Sequence, residues 1–318
     1  YLCGEENLGL AHMFQMMNAA RINTGVSGMT LASTAYHNAL AYARERVQGT
    51  EITRGKPGSV TIIGHPDVRR MLLWMKAMVD GMRSMIYTGA FWSDLALEME
   101  PGDEKANYQA LVEFMTPIIK AYCSDMGFRI CETAIQVLGG YGFSREYPLE
   151  QYLRDAKIMS LYEGTNGIQS MDLLGRKMRI QNGACFKAFM KEIESFCLKN
   201  MDHRTLGKAV ASLSRTALHL KQSAVEMAAR SESDPHQWAS YTYPALLCFG
   251  DVTVAWRLLD MAVIAERIMA EKGQNDYYRG KIMQATYFAG VTLPITESRL
   301  ETCLREGREV VDMPEGAF

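Results

Sequence analysis

The sequence predicts an all-α protein, and three observations support that prediction. β-Branched runs are almost absent: the one example, at residues 59–63, is short and lies between glycines. Elsewhere, long segments without proline repeat apolar residues every three or four positions, which is typical of helices. Clusters of Gly, Pro and Asp separate these segments. The 318 residues, 48% of them hydrophobic, are enough for one large or two ordinary domains with a substantial core.

The periodic segments predict nine helices, and turn-forming residues lie between them. Residues 50–64 contain three glycines and Pro57, which predicts a loop. Pro101 and Gly102 break one helix, the glycine-rich run at 139–142 ends another, and Pro235 separates two late helices. The predicted helices lie at about 8–48, 66–99, 104–139, 149–160, 165–181, 184–199, 204–231, 238–272 and 277–306.

The segment 204–231 carries the clearest helical pattern. Its apolar residues alternate at spacings of four and three, which predicts a coiled-coil-like seam. Alanine at two of these positions permits close approach of a neighbouring helix. We therefore expect this segment to form part of the core of a helical bundle. The seam residues are Leu206, Val210, Leu213, Ala217, Leu220, Ala224 and Met227.

Composition argues against several classes of function. The 34 basic and 36 acidic residues leave a net charge of −2, so no nucleic acid or anionic membrane is expected as partner. The most apolar window, 244–265, carries three charged residues, which favours a buried helix over a membrane span. Seven cysteines without a CxxC pair indicate reduced thiols and a cytoplasmic protein. The six histidines are scattered, so no metal site is predicted.

Residues 161–169, LYEGTNGIQ, place a single carboxylate, Glu163, in a glycine-rich turn. Gly164 leaves the neighbouring backbone amide accessible, and Thr165 is suited to cap the following helix. Without further context, such a turn is more typical of a surface helix cap than of a catalytic site. Upstream, Gln136 precedes a Gly-Gly-Tyr-Gly turn at which backbone could approach a ligand closely.

The ordered motifs QVLGGYGF, EYPLEQYLRDAKI and LYEGTNGIQ resemble the C-terminal region of the acyl-CoA dehydrogenases. The upstream stretch NAARINTGVSGMTLASTAYHNALAYARERVQG resembles the first helix of that family's C-terminal bundle. Beyond residue 185 the chain resembles a subgroup with an extra C-terminal helical domain, which includes broad-specificity and 3-methylmercaptopropionyl-CoA dehydrogenases. The resemblance implies a four-helix-type bundle at 1–182 followed by a second helical bundle at 183–318.

The resemblance also implies a reaction. In this family a carboxylate removes the α-proton of an acyl-CoA thioester while a hydride passes from Cβ to N5 of FAD. Glu163 corresponds to that base, and its backbone amide to a donor for the thioester oxygen. Gly164 would let the substrate lie close to the chain, and Tyr162 would form a wall beside the acyl group. Asn18 and Arg21 match the helix segment along the acyl-CoA, although Arg21 could instead pair with a nearby acid.

The implied FAD contacts come from several parts of the chain. Arg46 corresponds to an arginine that meets the pyrophosphate, with an ordinary surface arginine as the alternative. Gln48 stands where the family has a hydroxyl-bearing residue, and His65 aligns with a flavin-contacting histidine. The remaining expected contacts are Gln136, Val137, Leu138, Gly139 and Gly140, which would reach the FAD of a neighbouring subunit, and Thr165, Asn166 and the backbone of Gly167, which would meet the adenosine side.

The resemblance further implies a homodimer or homotetramer, and an electron-transfer flavoprotein as electron acceptor. The chain starts near the junction between the β-domain and the helical bundle of the family. We therefore expect the FAD to be held largely by N-terminal domains absent from this sequence, and this portion alone to be inactive. Two alternatives stay open: a non-catalytic helical scaffold for oligomerisation or partner binding, and an acyl-CoA oxidase.

Overall fold

The structure, a computed structural model, describes residue 2, residues 4–52 and residues 58–318, without the side chains of residues 11, 14 and 15. It confirms the all-α prediction. Short 3-10 turns occur at Ile62–Gly64, Ile180–Gly183 and Glu315–Ala317. The helices are α1 (Gly9–Glu45), α2 (Pro66–Glu98), α3 (Asp103–Leu138), α4 (Gly140–Phe143), α5 (Leu149–Ile158), α6 (Asn166–Met171), α7 (Ala184–Asn200), α8 (Gly207–Ser233), α9 (Pro235–Lys272), α10 (Asp276–Cys303) and α11 (Glu309–Asp312).

Helices α1 and α3 cross in close contact because glycines lie at the crossing. A Cβ on Gly28 would lie 2.7 Å from the carbonyl oxygen of Cys123, and one on Gly127 would lie 2.7 Å from the carbonyl oxygen of Gly28. No larger side chain fits at either position unless the backbones separate. The crossing fixes α1 against α3 and so places the residues that precede Gly28 beside the middle of α3.

The loop expected at 50–64 is in part a β-hairpin, so that prediction and the predicted end of the first helix at residue 48 were wrong. Helix α1 ends at Glu45, and strand β1 (Val47–Thr50) pairs antiparallel with β2 (Ser59–Thr61). β-Branched residues at both strands favour extended backbone, and Gly49 adopts a positive φ of 72°. Pro57, which contributed to the loop prediction, lies outside the described residues.

The helix predicted at 165–181 is interrupted. Helix α6 ends at Met171, and Asp172–Lys177 continues as a π-helical segment. Gln181 and Asn182 then adopt left-handed backbone, followed by Gly183 with a φ of 78°. Asparagine and glycine tolerate this region of φ/ψ space better than most residues. The turn reorients the chain before α7.

We refer to α1 to α6 as the first helical region and to α7 to α10 as the second helical region. The seam predicted in 204–231, which lies in the second region, is confirmed. All seven of its residues, from Leu206 to Met227, are at most 2% exposed. The apolar window 244–265 lies within α9, whose residues from 245 to 256 are all buried, so the buried-helix prediction also holds. Within the described residues, none of the helices combines the length and apolar character required to cross a membrane.

Buried polar contacts join the two helical regions. The hydroxyl of Tyr122 in α3 donates to Asp251 in α9 at 2.7 Å, and Arg299 in α10 donates to the other oxygen of the same carboxylate at 2.7 Å. The hydroxyl of Tyr243 in α9 donates to Asp125 in α3 at 2.5 Å. Helix α3 is therefore shared between both regions.

The described cysteines are free thiols, as the sequence predicts, and they are buried. Six of the seven are free and buried, and Cys3 lies outside the described residues. Burial raises the pKa of Cys131 and Cys303 to about 12. Because the thiolate is the nucleophilic form, these two thiols are inert at neutral pH.

Candidate functional site

The turn between α5 and α6 presents Glu163 on left-handed backbone. Its φ is 60°, and that of Gly164 is 84°. A non-glycine residue in this region costs roughly 1–2 kcal/mol, so the turn requires other contacts to hold it. Glu163 is half-buried and Tyr162 is 42% exposed. The hydroxyl of Thr165 accepts from the backbone N–H of Ile168 at 3.3 Å, which confirms the predicted helix cap.

Lys120 in α3 lies directly beneath this turn. Its side chain is fully buried, and its ammonium donates to the carbonyl oxygen of Gly164 at 2.8 Å and to Oδ1 of Asn166 at 2.9 Å. Burial lowers the pKa of Lys120 to about 8. The negative charges of Asp125 and Glu163 act in the opposite direction, and the positive charge of Arg21 adds to the lowering. A buried cation therefore interacts electrostatically with the candidate base.

Asn166 is bound within the protein through its whole side-chain amide. Besides accepting from Lys120, its Nδ2 donates to the carbonyl oxygen of Ala121 at 3.2 Å and to Oγ of Ser124 at 3.0 Å. Its side chain is thus committed to α3, and only its backbone is available to a cofactor. Gln169, which is fully buried, donates through Nε2 to the carbonyl oxygen of Glu163 at 3.4 Å.

Arg21 and Asn18 lie on the face of α1 that approaches the same turn. A Cβ on Gly164 would lie 3.9 Å from Nη2 of Arg21. The guanidinium also lies 3.8 Å from Asp172, so the acid pairing considered for this arginine is present. Asn18 donates to Glu113 in α3 at 3.4 Å. Since Arg21 is 7% exposed and adjoins the turn, its position suits both an ion pair and contact with a ligand.

A second group of predicted residues lines a cavity of about 870 Å³ between the end of α1 and the turn after α3. Arg46 is half-buried here, and its guanidinium lies 5.4 Å from the ring centre of Tyr141. The Nε of Arg46 is buried and has no hydrogen-bond acceptor among the described residues. Gly139 and Gly140 leave open space where side chains would otherwise stand. An unsatisfied guanidinium donor beside bare backbone suits a phosphate-bearing ligand. The predicted residues here are Arg46, Gln48, Leu138, Gly139 and Gly140.

An adjoining cavity of about 310 Å³ contains the remaining residues of this group, His65, Gln136 and Val137. The hairpin places Gln48 beside His65, whose Nε2 lies 2.7 Å from the carbonyl oxygen of Gln48. Val137 and Leu138 also belong to the core, at 4% exposure each. The structure thus brings together all eight predicted cofactor residues that precede the Glu163 turn.

Thr165, Asn166 and Gly167 line neither cavity, and they form a separate group beside Glu163. Thr165 and Gly167 are exposed, whereas Asn166 is buried. The predicted residues therefore divide into two clusters in a single chain. The expectation that the segment at 136–140 serves the cofactor of a neighbouring subunit stays a prediction.

Two residues at the turn were missed by sequence reasoning, namely Lys120 and Gln169. For Lys120, a signal was available in the sequence: it is the single charged residue within the apolar run Ile118-Ile119-Lys120-Ala121-Tyr122. A lysine inside such a run is almost never fully buried unless it is paired. That rule indicates a partner without identifying it.

Comparison with known families gives two matches along the chain. Residues 7–178 match the family described as "Acyl-CoA dehydrogenase, C-terminal domain". Residues 189–314 match the family described as "Acetyl-CoA dehydrogenase C-terminal like".

Among curated proteins, the chain is 36% identical to a 3-methylmercaptopropionyl-CoA dehydrogenase of Ruegeria pomeroyi, covering 91% of this chain and 49% of that protein. It is 31% identical to a broad-specificity linear acyl-CoA dehydrogenase of Mycobacterium tuberculosis, covering 100% of this chain and 54% of that protein. The chain spans about half the length of these curated relatives.

Among solved structures, the fold is similar to that of Caenorhabditis elegans ACDH-11, solved with a CoA ligand. The TM-score is 0.75 at 19% identity, over 97% of this chain and 49% of that one. It is also similar to an acyl-CoA dehydrogenase complexed with FAD from Bacillus anthracis. That comparison has a TM-score of 0.70 at 18% identity, over 96% of this chain and 52% of that one.

Proposed function

Because the chain belongs to the acyl-CoA dehydrogenase family, we propose that it carries the catalytic base of an FAD-dependent acyl-CoA dehydrogenase. Glu163 is the base that removes the α-proton of the acyl-CoA thioester. The observation that carries this proposal is the position of Glu163 on a left-handed turn whose two carbonyls are held by Gln169 and Lys120. A general base of this kind contributes roughly 10²–10⁴-fold to rate.

The neighbouring residues bind and orient the substrate. The backbone N–H of Glu163 donates to the thioester oxygen, where negative charge develops as the α-proton leaves. Gly164 has no side chain, so the substrate can lie close to the backbone there. Tyr162 flanks the acyl group. Arg21 and Asn18 line the approach along α1, while Asp172 and Glu113 hold their side chains in place.

The residues present fit FAD. Arg46 would meet the pyrophosphate through a buried Nε that has no acceptor among the described residues, and the glycines at 139 and 140 leave room for close approach. The chemistry that FAD supplies when bound is acceptance of the hydride that leaves Cβ. Gln48, His65 and the segment 136–140 would hold the cofactor at one cluster, whereas Thr165 and the backbone of Asn166 and Gly167 would hold it at the other. We assign the two clusters to two cofactors of an oligomer.

The organisation of the chain follows the two family matches, with one helical unit at 1–182 and a second at 183–318. The matches at 7–178 and 189–314 support this division, as does the left-handed turn at residues 181–183. Electrons leave the enzyme through an electron-transfer flavoprotein, a partner that rests on family resemblance.

The test replaces Glu163 with glutamine in the protein expressed from its complete reading frame. After loading with FAD, acyl-CoA oxidation is followed with an artificial electron acceptor, and flavin content is determined from absorbance. We expect Glu163→Gln to lower kcat by roughly 10³-fold at unchanged flavin content, because the amide cannot accept the proton.

A matched control is Glu150→Gln, which alters an acid on α5 that lies 3.9 Å from Arg154; this variant should keep full activity. Near-normal turnover of Glu163→Gln would remove Glu163 from its role as base. If the flavin-loaded wild type turned over no acyl-CoA of any chain length, the non-catalytic scaffold would replace this proposal.

A further inference from the structure

We propose that Lys120 is a positioning residue for Glu163: its buried ammonium fixes the left-handed turn and holds the carboxylate of Glu163 where it meets the α-proton. This inference rests on the proposed role of Glu163 as base. It assigns a function to a residue that contacts neither the acyl group nor the reacting atoms.

The first support is the hydrogen-bond network around the ammonium. Lys120 donates to the carbonyl oxygen of Gly164 at 2.8 Å and to Oδ1 of Asn166 at 2.9 Å, one residue before and one after the capping Thr165. Asn166 is in turn tied to α3 through Ser124 and the carbonyl oxygen of Ala121. The turn is therefore attached to a helix that the close glycine crossing holds rigidly against α1.

The second support is the backbone conformation that these bonds stabilise. Glu163 and Gly164 are consecutive residues with positive φ, and each of their carbonyls accepts from a fully buried side chain. Gln169 holds the first carbonyl and Lys120 holds the second. Left-handed backbone at a glutamate relaxes unless its surroundings fix it. Release of the Gly164 carbonyl would let Glu163 rotate away from its present direction.

The third support is the charge itself. A neutral side chain could bind two carbonyl-type oxygens at lower desolvation cost than a buried ammonium. The charged groups that face Lys120 are Asp125 on its own helix, Arg21 on α1 and Glu163 on the turn. The positive charge of Lys120 thus interacts favourably with the carboxylate of Glu163, in addition to the hydrogen bonds that hold the backbone. An amide side chain at position 120 could form similar hydrogen bonds but could not interact with Glu163 through a positive charge.

The experiment compares Lys120→Met with Lys281→Met in the flavin-loaded protein expressed from its complete reading frame. Both changes remove a largely buried ammonium, but Lys281 pairs with Asp80 in α2 and lies outside the Glu163 turn. Three quantities are measured: kcat, KM, and the kinetic isotope effect with α-deuterated acyl-CoA. Backbone hydrogen exchange of the peptide spanning 160–168 supplies a readout that is independent of turnover.

For Lys120→Met we expect kcat to fall about 100-fold with KM changed less than threefold, because a misplaced base slows the chemical step. The isotope effect should rise as proton removal becomes rate-limiting, and the 160–168 peptide should exchange at least tenfold faster. In wild type, kcat should also decline above about pH 8, where Lys120 loses its proton, whereas this decline should be absent from Lys120→Met. Lys281→Met should leave all of these quantities near their wild-type values.

A second variant, Gln169→Leu, keeps the proposal testable if Lys120→Met does not fold. It releases the neighbouring carbonyl without removing a charge, and we expect a three- to tenfold lower kcat with the same rise in isotope effect. Unchanged kcat and hydrogen exchange in both variants, beside an inactive Glu163→Gln, would overturn the positioning role alone. Activity retained in Glu163→Gln would instead overturn the base assignment, while hydrogen exchange would still report whether Lys120 holds the turn.

Discussion

The ammonium of Lys281 lies 2.8 Å from a carboxylate oxygen of Asp80, and this ion pair joins α10 to α2. Asp80 is 6% exposed and also receives Lys76 and Arg83, each at 3.1 Å. Burial alone would raise the pKa of Asp80, but the hydrogen bonds and charges of Lys281 and Lys76 hold it below its ordinary value of 3.8. The carboxylate is thus the centre of a cationic cluster between the two helical regions.

We expect Asp80→Asn to lower the free energy of unfolding by about 3 kcal/mol at pH 7, since it leaves several cations without their carboxylate. Because the folded pKa is lowered, the ionised carboxylate stabilises the fold above about pH 4. That contribution disappears as the pH falls through the folded pKa, so the deficit of the variant should shrink at pH 3. Urea unfolding at both pH values measures it. Asp67→Asn, which alters an exposed pair with Arg70, should change stability by less than about 1 kcal/mol.

Gly28→Ala should destabilise the protein by about 3 kcal/mol, because the new methyl group would lie 2.7 Å from the carbonyl oxygen of Cys123. Thermal and urea unfolding measure the loss. Gly290→Ala in α10 is the matched control, since a Cβ there has no neighbour within 4 Å. Alanine is a better helix former than glycine, so the control should gain roughly 0.5–1 kcal/mol. Equal effects of the two substitutions would contradict close packing at the α1–α3 crossing.

The buried Lys120 should give stability a distinctive pH dependence. Its folded pKa of about 8 lies below the ordinary value of 10.5, so the unfolded chain binds the additional proton between these values. Stability contributed by this residue therefore rises as pH increases from about 8 toward 10.5, by at most about 1.4 kcal/mol per unit. The stability of Lys120→Met relative to wild type should decline correspondingly between pH 7.5 and pH 9.5 in urea unfolding. A difference independent of pH would show that Lys120 does not titrate in this range.

Arg46→Met should weaken FAD binding roughly 10- to 150-fold, the equivalent of losing a hydrogen bond to a charged group. The measurement is a fluorescence titration of apoprotein, expressed from the complete reading frame, with FAD. Arg154→Met is the control, since the side chain of Arg154 is 77% exposed and lies 3.9 Å from Glu150. Unchanged affinity in Arg46→Met would remove this arginine from the cofactor site.

Sequence reasoning succeeded where the structural signal is local. The four-and-three spacing of residues 206–227 predicts a buried seam because helical geometry places those residues on one face. Thr165 was predicted to cap the following helix because threonine is a preferred N-cap residue, and the cap is present. The glutamate turn and its flanking motifs were recognised by family resemblance, whose fold implication the structure and comparisons confirm.

The failures involve contacts between separate segments and, in one case, a backbone conformation that the residues do not require. The pairing of residues 47–50 with 59–61 depends on two short strands that are weak signals separately. The burial of Lys120 cannot be explained without its partners Gly164 and Asn166, which lie 44 and 46 residues later in the sequence. The break at Gln181 and Asn182 depends on left-handed backbone, which neither residue requires.

The hydrogen bonds of Tyr122 and Asp125 connect α3, the helix that contacts the Glu163 turn, to α9. Both residues follow Lys120 on α3 and bond to α9, in a region that supplies none of the proposed site residues. The second helical region therefore supports α3, the helix to which the Glu163 turn is hydrogen-bonded. A truncation after residue 182 would remove the hydrogen-bond partners of Tyr122 and Asp125. We expect α3 to become less rigid near the Glu163 turn, although all proposed site residues would still be present. If Glu163 is the base, its position depends in part on helices that contain none of the proposed site residues.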